Sequence, residues 1–263
     1  MLVRGIDIGN KDKIGIWGIL NVTPDSFYDG NARKALDEHL RHCEQMIEEG
    51  ASVIDIGGES TRPGAQKVSA DEEAARVLPV IEAIRSRMDV VISLDSYKAE
   101  VMREGIKAGA DIANDVTGLL GDPDMAGVVA EAGVPVCIMH TGPHDNMIQD
   151  NLDLIANAEN HGIARDKLIL DPGLGFGKDT HGNLVAMAKL NELTALGLPV
   201  LLGASRKSFI GNTLDLPVEE RLNGTIATSV LGVNAGVTFI RVHDVAANVQ
   251  AIRLTEAIRD SVR

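Results

Sequence analysis

The chain has 263 residues, 44% of them hydrophobic, enough to bury a sizeable core in one domain or two. Its formal net charge of −13 excludes a general nucleic-acid or membrane-surface binder, while leaving room for a local basic site that takes an anionic small molecule. Residues 1–16, MLVRGIDIGNKDKIGI, hold no long apolar run, so the expectation is a cytoplasmic protein without signal peptide or membrane span.

Short apolar runs then alternate with amphipathic stretches. IWGIL (16–20) is followed by a helical pattern, RKALDEHLRHCEQMIEEG, and SVIDI (52–56) by DEEAARVLPVIEAIRSRM. VVISL (90–94), DIAN (111–114), PVCIM (135–139), KLIL (167–170), PVLLG (199–203) and TFIRV (238–242) continue the series. Nearly continuous apolar character bounded by Gly, Pro or Asp marks strands buried on both faces, and apolar residues three and four apart mark the helices between them. Both cysteines, Cys43 in a helix and Cys137 in a strand, read as reduced core thiols.

Eight such units without a linker predict a single (β/α)8 barrel, a TIM barrel, over 1–263, close to the roughly 250 residues typical of that fold. A doubly wound sheet shares the local pattern, but no glycine-rich dinucleotide fingerprint follows the first strand. Two helices stand out. The fifth, around 150–160, is short for a barrel helix, which questions how well strands five and six are covered. The seventh, GTIATSVLGVNAGV (224–237), carries no charged residue; an outer helix should show a charged face to water, so a second protein surface is expected against it, most simply in a homodimer.

Barrel active sites lie at the carboxyl ends of the strands. Those ends supply Asn21, Asp55 with Glu59, Asp95, Asn114, His140, Asp171, Ser205 with Lys207, and Arg241 with His243. Any one of them has a bland reading, such as a helix cap for Asn114 or a satisfied core histidine for His140; eight together do not. Asp95, Asn114 and Asp171 suit a heterocycle whose edge presents several N–H donors. Asn21, Arg62, Arg241 and His243 suit a phosphorylated ligand, and Lys207 serves either. DPGLGFGKD fails the glycine spacing of a phosphate loop, and the carboxylates of IDIGGES and SLDS show no metal-ligand spacing.

GILNVTPDSFYDG, IDIGGESTRPGA, LDSYKAEV, GADIANDVTG, LILDPGLGFGK, GASRKSFIG and RVHDV resemble, in order over nearly the whole chain, the dihydropteroate synthase family. The resemblance implies a transferase of folate biosynthesis. It would condense 6-hydroxymethyl-7,8-dihydropterin diphosphate with 4-aminobenzoate to 7,8-dihydropteroate and diphosphate. In its terms Asp95, Asn114, Asp171, Lys207 and Phe176 match the pterin pocket, while Asn21, Thr61, Arg62, Arg241 and His243 match positions around the diphosphate. Asn21 also matches the position near Mg2+, the implied cofactor. Phe27, Pro63 and Ser208 match the part that closes over aminobenzoate, and Asp95, Lys207, Arg62 and Asp25 form the implied catalytic set. The family also pairs through this end of the barrel, at the seventh and eighth helices. Two other readings share the pterin pocket: a methyltetrahydrofolate:corrinoid-protein methyltransferase and a pterin binder without turnover. The first has no use for STRPG, SRKSF and RVHDV.

Overall fold

A computed structural model describes residues 1–10, 12–22, 32–60 and 66–262. It begins with an element too short to show in any periodicity. Arg4 (φ 51°) and Gly5 (φ 78°) form a two-residue turn with positive φ at both positions, the geometry that matches strand twist in a hairpin. The turn joins β1 (Leu2–Val3) to β2 (Ile6–Asp7).

The barrel units follow: β3 (Gly15–Asn21), α1 (Ala32–Glu48), β4 (Val53–Gly57), α2 (Ala70–Arg85), β5 (Val91–Asp95), α3 (Ala99–Ala108), β6 (Ile112–Asp115) and α4 (Met125–Ala132). Then come β7 (Val136–Met139), α5 (Met147–Asn160), β8 (Leu168–Asp171), α6 (Thr180–Ala188), α7 (Leu190–Thr194), β9 (Leu201–Leu202), α8 (Ser208–Leu214), α9 (Leu222–Ala235), β10 (Phe239–Val242) and α10 (Val245–Asp260). Eight strands run parallel in the order β8-β7-β6-β5-β4-β3-β10-β9. A parallel bridge between Leu170 and Val200 brings the two ends together, with the Leu170 N–H donating to the Pro199 carbonyl at 2.8 Å. The expected (β/α)8 barrel is the observed fold, and each of the eight expected strands is present.

Two apolar shells hold it. Trp17, Val53, Val91, Ile112, Cys137, Ile169, Leu201 and Phe239 fill the lower interior, where the Trp17 and Phe239 rings meet at a tilt of 46° with centroids 5.6 Å apart. Val3 and Ile8, on and just after the hairpin, close this floor. The larger shell lies between strands and helices and includes Ile54, Ile56, Ile81, Ile92, Leu94 and Ile138. Because side chains alternate along a strand, the same strands that seal the floor with Val and Ile deliver polar residues one and two steps higher.

The doubt about the fifth helix does not survive. α5 starts at Met147, runs for 14 residues and follows a short 3-10 turn, His144–Asn146. Met147 is buried, and the Asn151 Nδ2 donates to its carbonyl at 2.7 Å, so the first turn is anchored by an apolar residue rather than an acidic cap. Leu154, Ile155 and Ala158 are buried as well and join Ile138 of β7 and Leu168 and Leu170 of β8 in one apolar cluster. Gly133 and Gly236, both left-handed, end α4 and α9. Among the described residues no helix is long and apolar enough to cross a membrane.

Candidate active site

The upper interior of the barrel is ionic. Asp55 on β4 is fully buried, accepts the Arg241 Nε at 2.6 Å and lies 3.2 Å from the Asn114 Nδ2. Arg241 on β10 also donates from Nη2 to Asp95 Oδ2 at 2.6 Å. One guanidinium thus bridges carboxylates from two strands, and an amide from a third completes the layer. Desolvation pushes the Asp95 carboxyl up to about 7 against the pull of Arg241, with Asp55 adding to the rise. For Arg241, burial works against the charge, but Asp55 and Asp95 outweigh it and raise its pKa.

Asp171, at the end of β8, is buried and accepts the Gly173 N–H at 2.7 Å. Burial raises its pKa, and Lys207 opposes the rise. Lys207 follows β9 across the mouth: its ammonium donates to the Leu174 carbonyl and sits 4.7 Å from the centroid of the Phe176 ring. Desolvation lowers Lys207 to about 8, with Asp171 acting in the opposite sense. Gly203 lies beneath this pair; a Cβ there would sit 3.6 Å from Asp171 Oδ2 and 4.0 Å from Lys207 Nζ. The missing side chain leaves room for a flat group between carboxylate and ammonium. Phe176 is half-buried on the rim rather than in the core.

The loops after β9 and β10 are cross-linked. Arg206, in the left-handed region at φ 56°, donates from Nε and Nη2 to the two Asp244 oxygens at 2.9 and 2.6 Å. Its N–H donates to Thr225 Oγ1 and its carbonyl accepts Arg221 Nη1, so the unusual backbone is held from four directions. Ser205 Oγ lies 2.9 Å from His243 Nδ1 and accepts the His243 N–H at 3.2 Å.

Behind the rim lies a second ionic cluster. Lys98 Nζ donates to Glu59 and Glu73, the Tyr97 hydroxyl donates to Glu59 Oε1 at 2.7 Å, and the Val68 N–H lies 3.4 Å from Glu59 Oε2. Glu59 therefore serves this cluster. His140 is buried with Nε2 2.9 Å from Asp150 Oδ2. Asn21 is exposed at the end of β3, and Ser208 is exposed at the start of α8 beside Lys207. Asp25, Phe27, Thr61, Arg62 and Pro63 lie outside the described residues. Sequence reading missed Lys98 and Tyr97 as partners of Glu59, and the Arg206–Asp244 pair. The adjacency of SRK and HDV to strand ends was the available signal for that pair. No group of three His, Cys, Asp or Glu among the described residues forms a metal centre.

Asp95, Asn114, Asp171 and Lys207 therefore come together at the carboxyl end of the barrel, with Arg241 bridging Asp55 and Asp95 among them and His243 directly after β10. This defines a barrel enzyme for a flat, N–H-rich heterocycle carrying negative charge. The pterin binding enzyme family matches residues 17–243. The dihydropteroate synthase of Bacillus subtilis is 49% identical over 255 residues, 94% of this chain and 90% of that protein. The structure of the Clostridium difficile dihydropteroate synthase determined in the presence of pteroic acid aligns with TM-score 0.89 at 45% identity, covering 95% of this chain and 98% of that one. The Xanthomonas albilineans dihydropteroate synthase with 4-aminobenzoic acid aligns with TM-score 0.88 at 41% identity, covering 95% and 94%. The chain belongs to the pterin-binding enzymes and, among them, to the dihydropteroate synthase family.

Proposed function

We propose that the chain, working as one catalytic unit over 1–263, condenses 6-hydroxymethyl-7,8-dihydropterin diphosphate with 4-aminobenzoate. The products are 7,8-dihydropteroate and diphosphate. The convergence of Asp95, Asn114, Asp171 and Lys207 on one pocket carries the reading. Asp171 and Asp95 accept the N–H donors of the pterin edge, and Asn114 adds an amide in the same layer. Lys207 holds the ring from the side opposite Asp171, with Phe176 as its apolar wall.

The C–O bond from the exocyclic methylene to the diphosphate breaks, the arylamine nitrogen forms the new C–N bond, and its proton passes to solvent. Positive charge develops on the methylene and spreads into the dihydropterin, while the departing diphosphate gains charge near Arg241 and His243. Preorganised charges of this kind stabilise developing charge without reorganisation. An arylamine is largely unprotonated at neutral pH, so no strong general base is required. Thr61, Arg62 and Asp25 complete the anion and catalytic set in this reading, and Phe27, Pro63 and Ser208 the aminobenzoate side.

Asn21 is exposed, and no group of three carboxylates forms a metal centre among the described residues, a setting that fits a magnesium ion carried in largely on substrate phosphates and water. Asn21 would hold it, and when bound it supplies neutralisation of the leaving diphosphate. Two free, buried thiols support a reducing, cytoplasmic setting: burial pushes Cys43 up to about 12 and Cys137 well above its usual value. The activity test is diphosphate release from the pterin diphosphate. Release that follows 4-aminobenzoate concentration supports the synthase; release indifferent to every arylamine overturns it.

The homodimer reading gains support from the outer face of α9 and α10. Ala227 and Leu231 lie one turn apart on the exposed side of α9 and are not covered by the preceding loop; Leu254 and Ile258 are exposed on α10. Ala227→Glu or Leu231→Glu should convert a dimer to a monomer in light scattering at micromolar concentration, with the circular dichroism spectrum kept. A wild-type monomer at that concentration rules the pairing out.

A further inference from the structure

The catalytic reading uses His243 but leaves open which of its nitrogens carries the proton, and the neighbouring serine decides this. Ser205 is buried, and all its recorded polar contacts go to one residue: Oγ accepts the His243 N–H at 3.2 Å and lies 2.9 Å from Nδ1. A serine hydroxyl has one proton to give. Among the described residues, Nδ1 is the only acceptor within reach of it. If Nδ1 carried the proton instead, the buried hydroxyl hydrogen would have no partner, which is unfavourable. Donation from Oγ to Nδ1 puts the ring proton on Nε2, because the bond made by one imidazole nitrogen fixes the state of the other.

We propose that Ser205 is a positioning residue that fixes His243 as its Nε2–H tautomer, so that the imidazole meets the diphosphate as a donor. The site is built for such a task. Ser205 stands at the end of β9 and His243 at the end of β10, neighbouring strands with Leu202 paired to Ile240. The adjacent residues, Arg206 and Asp244, form the two-bond ion pair that holds the same loops together. The serine is thus held by its own backbone on one side and by its contact with the partner loop on the other. A neutral imidazole of either tautomer has one donor and one acceptor; only the Nε2–H form turns the donor away from Ser205. An acceptor nitrogen facing a diphosphate oxygen would repel it. The proposal rests on the diphosphate role of His243 given above, and its first readout does not depend on that role.

The ligand-free, full-length chain is examined by long-range 1H–15N imidazole spectra at about pH 8, above the usual histidine range. The His243 signals are identified by their absence from His243→Gln. Wild type should show a protonated Nε2 and an unprotonated Nδ1. Ser205→Ala should show the averaged shifts of two exchanging tautomers, and Ser205→Thr should restore the wild-type pattern. In kinetics, Ser205→Ala should raise KM for the pterin diphosphate about tenfold with kcat changed by less than about threefold, and Ser205→Thr should recover both. A protonated Nδ1 in wild type, or a wild-type tautomer in Ser205→Ala, overturns the proposal. A tautomer shift with unchanged KM supports the role of Ser205 and overturns the diphosphate role of His243. If Ser205→Ala does not fold, the wild-type and Ser205→Thr spectra decide the question on the same criterion.

Discussion

Lys207→Ala should lower kcat/KM by about 10²-fold or more, the size expected when one preorganised charge is removed from a reacting site. Its ammonium lies at the mouth between the Asp171 carboxylate and the Phe176 ring, with no apolar core depending on it. Thermal stability should therefore change by no more than a few degrees. The pH dependence carries a second signature. The folded-state pKa of Lys207 is lowered to about 8, so its charged form works against folding below that value, and the penalty is relieved as pH rises through it. Catalysis runs the other way. Activity should fall as pH rises through about 8 and the ammonium is lost, and should rise through about 7 as Asp95 ionises. The optimum lies in that window, and the alkaline limb should vanish in Lys207→Ala. A variant that keeps wild-type kcat/KM, or the same alkaline limb, removes Lys207 from the mechanism.

Lys98→Met should cost about 3–5 kcal/mol of stability, the penalty for breaking a buried ion pair by removing one partner. Glu73 is 1% exposed and the Glu59 side chain 7% exposed, and without Lys98 the two carboxylates lose their shared cation, leaving the Tyr97 hydroxyl and the Val68 N–H as donors to Glu59. For a chain of this length that amounts to a fall of roughly 10 °C in Tm. The double variant Lys98→Met with Glu73→Gln should recover a large part of the loss, because one of the two charges is gone and Glu59 keeps the Tyr97 hydroxyl as a donor. The pH window follows from the two shifts. Burial alone would raise Glu59, but hydrogen bonds from Lys98 and Tyr97 outweigh it and its pKa is lowered. Its contribution is therefore complete above the unfolded carboxylate value and is lost as pH falls through the folded one. Lys98 is raised by the same two carboxylates against desolvation, so its contribution is complete below the ordinary lysine value and is lost only as pH rises through the folded one. Thermal melts of both variants across this range check the sign: the gap between wild type and Lys98→Met should narrow in acid.

The eight strands were legible because a strand buried on both faces needs a short apolar run, and these runs recur at the spacing of βα units. The polar strand ends were legible for the same reason, since most runs end at or within a few residues of an Asp, Asn, His or Arg. The pairing of those ends was not. Asp55 and Arg241 are 186 positions apart, and only closure of the barrel brings β10 beside β3, so that one guanidinium can reach Asp55 on β4 and Asp95 on β5. The β1–β2 hairpin escaped because two-residue strands have no period to read; its signal was the Arg-Gly turn. The start of α5, placed near 150 from the sequence, was missed because Met147 opens the helix without a side-chain cap bond to mark it. Glu59 was read as a rim group, and its commitment to Lys98 and Glu73 depends on α2 and β5 packing beside it.

Calorimetric titration of 6-hydroxymethylpterin diphosphate into wild type and Asp171→Asn tests the pocket most directly. The substitution keeps the size of the side chain and replaces an acceptor with a donor facing the N–H edge of the ring. Sites built to hydrogen-bond a ligand reject a mismatch of this kind strongly. The wild-type chain should bind, and Asp171→Asn should lose affinity by about 10²-fold or more with its circular dichroism spectrum intact. Unchanged affinity in Asp171→Asn would contradict the assignment of this pocket to the pterin.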